Sequence, residues 1–308
     1  MIRASVWLFL LACSSTESEV ASIETVSDGS PSPDRFDAYL VHEGLWASAN
    51  TQGIGEATLL DLLNEPGTRP LRSIFIRDQQ MTAKAVGAIM TAPSTAELTH
   101  LSLSGNPIGD EGLEVLANSP RLSQIEYLTL QDVDASSHGI AALAASPHLN
   151  AKSLALGWQP VGDAGALALA RASGFHDLRL ESAQVGREGA VSLIEKGQMD
   201  SLSLISNPIH LVGLTSMSTS LQGLNLECSS LNDADIQALA QAPAPGLKSL
   251  QIKNASVSDI GLAAIQEAPW FHQLESLSIS GQASSKSARK ALIDAFKGDF
   301  LSIYKRDL

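Results

Sequence analysis

Between Ile74 and Ile303 an apolar-x-apolar triplet recurs ten times, at intervals of 22 to 27 residues. The triplets begin at Ile74, Leu101, Leu128, Leu154, Leu178, Leu202, Leu224, Leu250, Leu277 and Leu301. A chain with a fixed period in this range cannot close each unit around its own core. Each unit buries its apolar face against its neighbours, and the product is a solenoid.

The register extends beyond the triplet. In the first nine units another apolar residue stands 13 positions after the second apolar one, from Ile76 to Ile89 through to Ile279 to Leu292. Three residues past the triplet a polar residue is usual: Gln79, Asn106, Gln159, Asn207, Ser229 and Gln282. A small residue follows further on: Ala85, Gly112, Gly139, Gly165, Gly189, Gly213, Gly261 and Ala288. The length variation falls before the next triplet, in loops carrying Pro93, Pro120, Pro147, Pro243, Pro245 and Pro269.

Each phase has a physical reading. The triplet is a short strand with two side chains inward and one outward. The polar residue satisfies backbone groups where the chain leaves the strand. The small residue lets the first turn of the following helix approach the sheet, which offsets glycine's helix penalty of about 1 kcal/mol. Asp110, Glu111, Asp163, Glu188, Asp233 and Asp259 place negative charge at helix N-termini.

The sequence from Leu98 to Leu116 resembles the leucine-rich repeat family in its ribonuclease-inhibitor-like form. The resemblance implies an α/β solenoid, a curved horseshoe with a parallel sheet on the concave face and helices on the convex face. It also implies a binding role. Three units depart from the pattern, with Val133, Ala183 and Ala255 in place of the family's Asn.

The first residues are read as an export signal, with Arg3 as a minimal positive region, Ala4 to Ala12 as the apolar stretch and Ala12 at the cut. These nine residues, eight of them apolar, fall short of the roughly 20 needed to span a bilayer. Leu10-Leu11-Ala12-Cys13 resembles the lipobox of bacterial lipoproteins, which implies lipidation at Cys13 and a membrane anchor there. Ser14 after the cysteine favours the outer membrane, and a soluble secreted product is the alternative. The expected organisation is a signal peptide over 1–12, a flexible tether over 13–36 and a repeat domain over 37–308, formed by a cap repeat and ten strand units. A tether of about 20 residues has a root-mean-square span of about 25 Å. The last strand ends near charged Lys305, Arg306 and Asp307, which would blunt the sheet edge.

The formal charge of −13 disfavours nucleic acid, whose phosphates need a basic surface. The sequence contains none of the G-x-S-x-G, H-E-x-x-H, P-loop or C-x-x-C signatures. Gly53-Ile54-Gly55 lacks a third glycine and belongs to a turn. The seven histidines fall at unrelated phases, and His100 alone is expected to project onto the concave face. Cys228 is read as a free thiol filling space near a strand end. No enzymatic activity, metal or cofactor is expected.

The outward strand positions describe the expected binding floor. Eleven of these thirty positions are Ser, so the floor is hydroxyl-rich and short of aromatic anchors. Binding hot spots favour Trp, Tyr and Arg. One central cluster meets that description: Tyr127, Trp158 on the adjoining turn, Arg179 and Glu181, with Ile205 and Glu227 beside it. The bland alternative is that Asp177 and Glu181 neutralise Arg179 on a solvated strand. The expected function is a monomeric, envelope-anchored module that binds a partner protein through its concave face. A regulator of a partner enzyme, inhibitor-like or GTPase-activator-like, and a secreted effector are the alternatives.

Overall fold

Ten triplets in one register predict one continuous sheet, and the computed structural model has it. The structure describes residues 40–41, 44–48, 53–65, 68, 70–228, 230–281 and 284–304. The expected signal, Cys13, the tether, Ser229 and Gln282 lie outside these residues. Among those described, no helix is long and apolar enough to cross a membrane.

The sheet runs in chain order: β1 (Leu40–Val41), β2 (Gly44–Ser48), β3 (Ser73–Arg77), β4 (His100–Ser102), β5 (Tyr127–Gln131), β6 (Ala151–Gly157), β7 (Phe175–Glu181), β8 (Ser201–Ile205), β9 (Gly223–Glu227), β10 (Ser249–Ala255), β11 (Ser276–Gly281) and β12 (Phe300–Tyr304). β1 and β2 pair antiparallel as a hairpin, and every later pair is parallel. Register is kept triplet on triplet, so Leu128, Leu154, Leu178 and Leu202 stand in one row. Within β5 and β8 the inner residues are buried and the outer ones half-buried, as the period-two alternation demands.

The return segments carry helices α1 (Glu56–Asn64), α2 (Ala83–Thr91), α3 (Gly109–Asn118), α4 (Ser137–Ala144), α5 (Gly162–Leu169), α6 (Arg187–Lys196), α7 (Asp233–Gln241), α8 (Asp259–Glu267) and α9 (Lys286–Ala295). Each apolar residue expected on a helix 13 positions after a triplet is buried, including Ile89, Leu116, Leu143, Leu193 and Leu239. Sheet and helices enclose one continuous apolar core.

One unit departs from the expected pattern. The segment between β8 and β9 forms no helix, although its residues hold the phase of the repeat. Only 22 residues separate Leu202 from Leu224, the shortest interval in the series. The segment also holds Gly213, which takes a left-handed φ of 99°. Leu211, Leu214 and Met217 still reach the core. Neighbouring units satisfy the backbone in place of helical bonds. Leu211 N donates to Asp235 Oδ1 at 2.7 Å, Thr215 N to Glu195 Oε1 at 2.8 Å, Met217 N to Pro243 O at 2.8 Å and Ser218 N to Ile194 O at 2.8 Å.

The acidic first-turn residues do more than meet a helix dipole. Asp163 Oδ1 on α5 accepts from Gly186 N at 2.7 Å and Gly189 N at 3.1 Å, the start of the following helix. Asp233 makes the same link to Ser258 and Gly261, and Glu56 accepts from Thr82 N and Oγ1. This revises the reason for the small residue. A Cβ on Gly189 would come within 2.7 Å of both Asp163 Oδ1 and Ala166 Cβ, and one on Gly261 within 2.6 Å of Asp233 Oδ1. Gly189 and Gly261 make room for the carboxylate of the preceding unit, whereas Gly112 and Gly165 first make room for Ile108 and Val161 before their own helices.

The polar position after the strand behaves as expected where Asn or Gln occupies it. Asn106 is buried, accepts from Gln79 N and Met81 N, and donates to Ile76 O at 2.9 Å. Asn207 repeats this with Ala183 N, Val185 N and Leu180 O, and Gln159 with Val133 N and Leu130 O. Where the residue is Val133 or Ala183, its carbonyl takes over, accepting from Gly109 N at 2.9 Å and Gly162 N at 3.0 Å. Both glycines have positive φ, 65° and 62°, which turns the N–H toward the next unit. In the β9 unit Cys228 holds the place, with its thiol donating to Leu204 O at 3.2 Å. Cys228 is thus a bonded member of this ladder, not a space filler.

Candidate partner-binding site

On the face of the sheet free of helices, the outward residues stand in three rows. One row carries His100, Tyr127, Ser153, Asp177 and Ser201. The next carries Thr129, Ala155, Arg179, Ser203, Asn225 and Gln251. The third carries Gln131, Gly157, Glu181, Ile205, Glu227 and Lys253. Five of the six expected site residues therefore lie on or beside two adjoining rows, and Tyr127 lies apart from them.

Tyr127 is two strands from Arg179 and one row earlier. Its ring stacks on His100, with centroids 4.5 Å apart and planes at 19°. The His100 imidazole accordingly sits below its ordinary pKa. Desolvation is the main cause, offset in part by the attraction of Glu126 and reinforced by Lys152. Its Nδ1 lies 2.8 Å from Thr99 Oγ1. The pair forms a half-buried aromatic step on the floor.

Arg179 and Glu181 are ion-paired along β7, with Nη2 3.7 Å from Oε2 and side chains 29% and 24% exposed. The Arg179 Nε is buried and has no hydrogen-bond partner; it is the one such side-chain atom among the described residues. A buried donor left unbonded costs about 1–3 kcal/mol. Asp177 on the same strand joins no ion pair with Arg179 among the described contacts. Its carboxyl sits above the ordinary aspartate value, first through desolvation within the floor and second through repulsion by Asp200, with His176 opposing. The neutralisation of Arg179 by two flanking acids thus reduces to Glu181 alone.

Beside Arg179 a chain of side-chain bonds crosses three strands. Gln251 Nε2 donates to Asn225 Oδ1 at 3.0 Å, and Asn225 Nδ2 donates to Ser203 Oγ at 2.9 Å. In the third row Glu227 Oε1 accepts from Asn254 Nδ2 at 2.9 Å. These links hold the floor's side chains in fixed positions, which lowers the entropy a partner must remove on binding.

Trp158 is the large exposed aromatic here, 57% exposed, on the turn directly after β6. Its φ is 54°, in the left-handed region. The equivalent positions in other units hold Asp78, Gly105, Asp132, Ser182, Ser206 and Asn254, all with positive φ. These small or polar residues suit that conformation, whereas a bulky side chain there costs about 1–2 kcal/mol. Trp158 N donates to Glu181 O at 2.8 Å, and a Cβ on Gly157 would collide with that same carbonyl. The close approach of β6 to β7 locks the turn and fixes the indole beside the Glu181 row.

Two features escaped the sequence reading. His176 also lies in the sheet, because β7 begins two residues before Asp177, and its Nδ1 meets Asp200 Oδ2 at 3.0 Å. The Asn225–Gln251 link was visible only as polar residues in one row. Among the described residues no three His, Cys, Asp or Glu side chains gather as a metal site would require.

The Leucine Rich repeat family model matches residues 98–117, which span β4 and all of α3 but Asn118. No curated protein matches the sequence. Among solved structures, an internalin (inlF) from Listeria monocytogenes is similar, with a TM-score of 0.41 and 14% identity over 84% of this chain and 86% of that one. The match covers one unit, which is similar to a leucine-rich repeat, and the units before and after it keep the same register in the sheet.

Proposed function

We propose that this protein is a non-enzymatic interaction module, held on a bacterial envelope by a lipid at Cys13, that binds another protein through the concave, helix-free face of its sheet. The leucine-rich repeat is a protein-binding unit; the anchor and the binding face are the further steps. The observation that carries the face is Arg179, a partly exposed guanidinium in the middle of the floor, joined to Glu181 by an ion pair of 3.7 Å. A guanidinium offers five donors in a planar fork, so the exposed part of this side chain can pair with a partner carboxylate or backbone carbonyl. Trp158, Glu181, Ile205 and Glu227 surround it with apolar area and charge. Ten strands about 4.8 Å apart span roughly 43 Å, more than a standard interface of about 800 Å² per partner needs.

The anchor rests on the Leu10-Leu11-Ala12-Cys13 sequence. Fractionation of a Cys13→Ala variant tests it: the variant should move to a soluble or unprocessed form. Membrane fractionation like that of wild type, with no acyl group on Cys13 by mass spectrometry, contradicts the anchor. The face is tested by hydroxyl-radical footprinting of the chain bound to its captured partner. Protection of β5 to β9 at their outward residues supports it, and protection confined to α3 to α8 contradicts it.

A further inference from the structure

The rim formed by Trp158 and the Glu181–Ile205–Glu227 row has a chemistry of its own. The indole stands 57% exposed in a conformation that disfavours large side chains. It is held there by the bond from its backbone N–H to Glu181 O. In the adjacent row two carboxylates flank an isoleucine, with Glu181, Ile205 and Glu227 in direct register. Arg179 answers the charge of Glu181. Among the described residues Glu227 receives the neutral amide of Asn254. Lys253 is in register with Glu227 on β10, yet no ion pair joins them.

Among the described residues the row thus holds one carboxylate outside any ion pair, an apolar contact beside it and an aromatic face at its end. A cation over an indole gains from the ring quadrupole, and its alkyl stem packs on apolar surface. The charge balance points the same way, since the chain carries a formal charge of −13. We infer that this rim receives an extended basic segment of the partner protein, with one lysine or arginine stacked on Trp158 and another, further along the segment, paired with Glu227. The inference rests on the concave face being the binding face, and it adds the chemistry of what binds there.

The test uses the purified full-length chain and two labelled probes, a hexalysine and a hexaglutamate peptide, followed by fluorescence anisotropy at low salt. Hexalysine should bind and hexaglutamate should not. Trp158→Ala and Glu227→Gln should each weaken hexalysine binding about tenfold. Glu267→Gln, which removes the same charge from an exposed site on α8, should leave it unchanged. Circular dichroism confirms that each variant is folded. Absence of hexalysine binding, preference for hexaglutamate, or equal weakening by all three substitutions overturns the inference, the last because it marks binding as a response to net charge. The outcomes separate the two readings. Loss of this rim with partner capture still sensitive to Arg179 leaves the concave face standing. A hexalysine site at Trp158 with the footprint on the helices removes the concave face as the partner's seat.

Discussion

Asp110 on α3 holds the start of α4 in the next unit: its Oδ1 accepts from Ser136 N at 2.7 Å and Gly139 N at 3.1 Å, and its Oδ2 from Ser136 Oγ at 2.6 Å. Ser136 in turn caps α4 by accepting from His138 N. One carboxylate therefore fixes the N-terminus of a helix belonging to its neighbour. Replacing Asp110 with Ala strands those donors and should destabilise the chain by about 1–3 kcal/mol. Asp110→Asn keeps an acceptor and should cost less. Urea titration followed by circular dichroism compares the two, and equal losses would remove the bonding account.

The same links predict how stability responds to acid. Burial alone raises the Asp110 pKa, but the bonds from Ser136 and Gly139 outweigh it, and the net value lies below 3.8. Asp259 is also lowered, by its bonds from Ser285. A depressed folded value contributes stability that is fully present above the unfolded value and is lost as pH falls through the folded one. The melting temperature should therefore drop as pH falls below about 4. Asp110→Asn should reduce that slope. Asp177 has the opposite sign, since its raised value contributes stability that is lost as pH rises through it.

Trp158 predicts a trade between stability and binding. Trp158→Gly removes a side chain already 57% exposed and relieves its left-handed backbone. The variant should gain about 1 kcal/mol in stability and lose partner capture. Thermal melts and capture on the same preparation report both. A loss of stability would show that the indole packs for structural reasons.

Cys228 should be chemically silent in the folded chain. Burial foremost, with help from Glu227, pushes its thiol up to about 11, against the backbone N–H groups of Asn207 and Ser206. The thiolate is the reactive form, so a disulfide reagent should label Cys228 only at the rate of unfolding. Cys228→Ser keeps a donor for Leu204 O and should fold. Rapid labelling under native conditions would contradict the buried, bonded thiol.

The strand rows were legible because one fixed period set them. Leu128, Leu154, Leu178 and Leu202 could be aligned by counting, and the sheet keeps that alignment. The missing helix between β8 and β9 was less legible. Leu211, Leu214 and Met217 hold helix-compatible spacing, and the bonds from other units that replace the helix leave no mark in that spacing. Cys228 illustrates a related blind spot. Counting placed Ser229 on the ladder, while the bond to Leu204 O goes to the residue before it.

The candidate site was legible in composition and only partly in geometry. Arg179, Glu181, Ile205 and Glu227 could be put side by side from register alone. The stack of Tyr127 on His100 could not, because ring orientation depends on rotamers that spacing does not specify. The left-handed turn at Trp158 had a signal in the sequence, since every equivalent residue named above is small or polar. The unbonded Nε of Arg179 had none.

Partner capture by substituted chains tests the central claim most directly. The mature protein serves as bait on native membranes, and bound partner is measured across a concentration series. Arg179→Ala and Tyr127→Ala should each weaken capture by about 2 kcal/mol, roughly thirtyfold, while Ser278→Ala, on the same face but far along the sheet, should change it little. Equal and negligible effects from all three would contradict binding at the centre of the concave face and place the partner on a rim or on the helices.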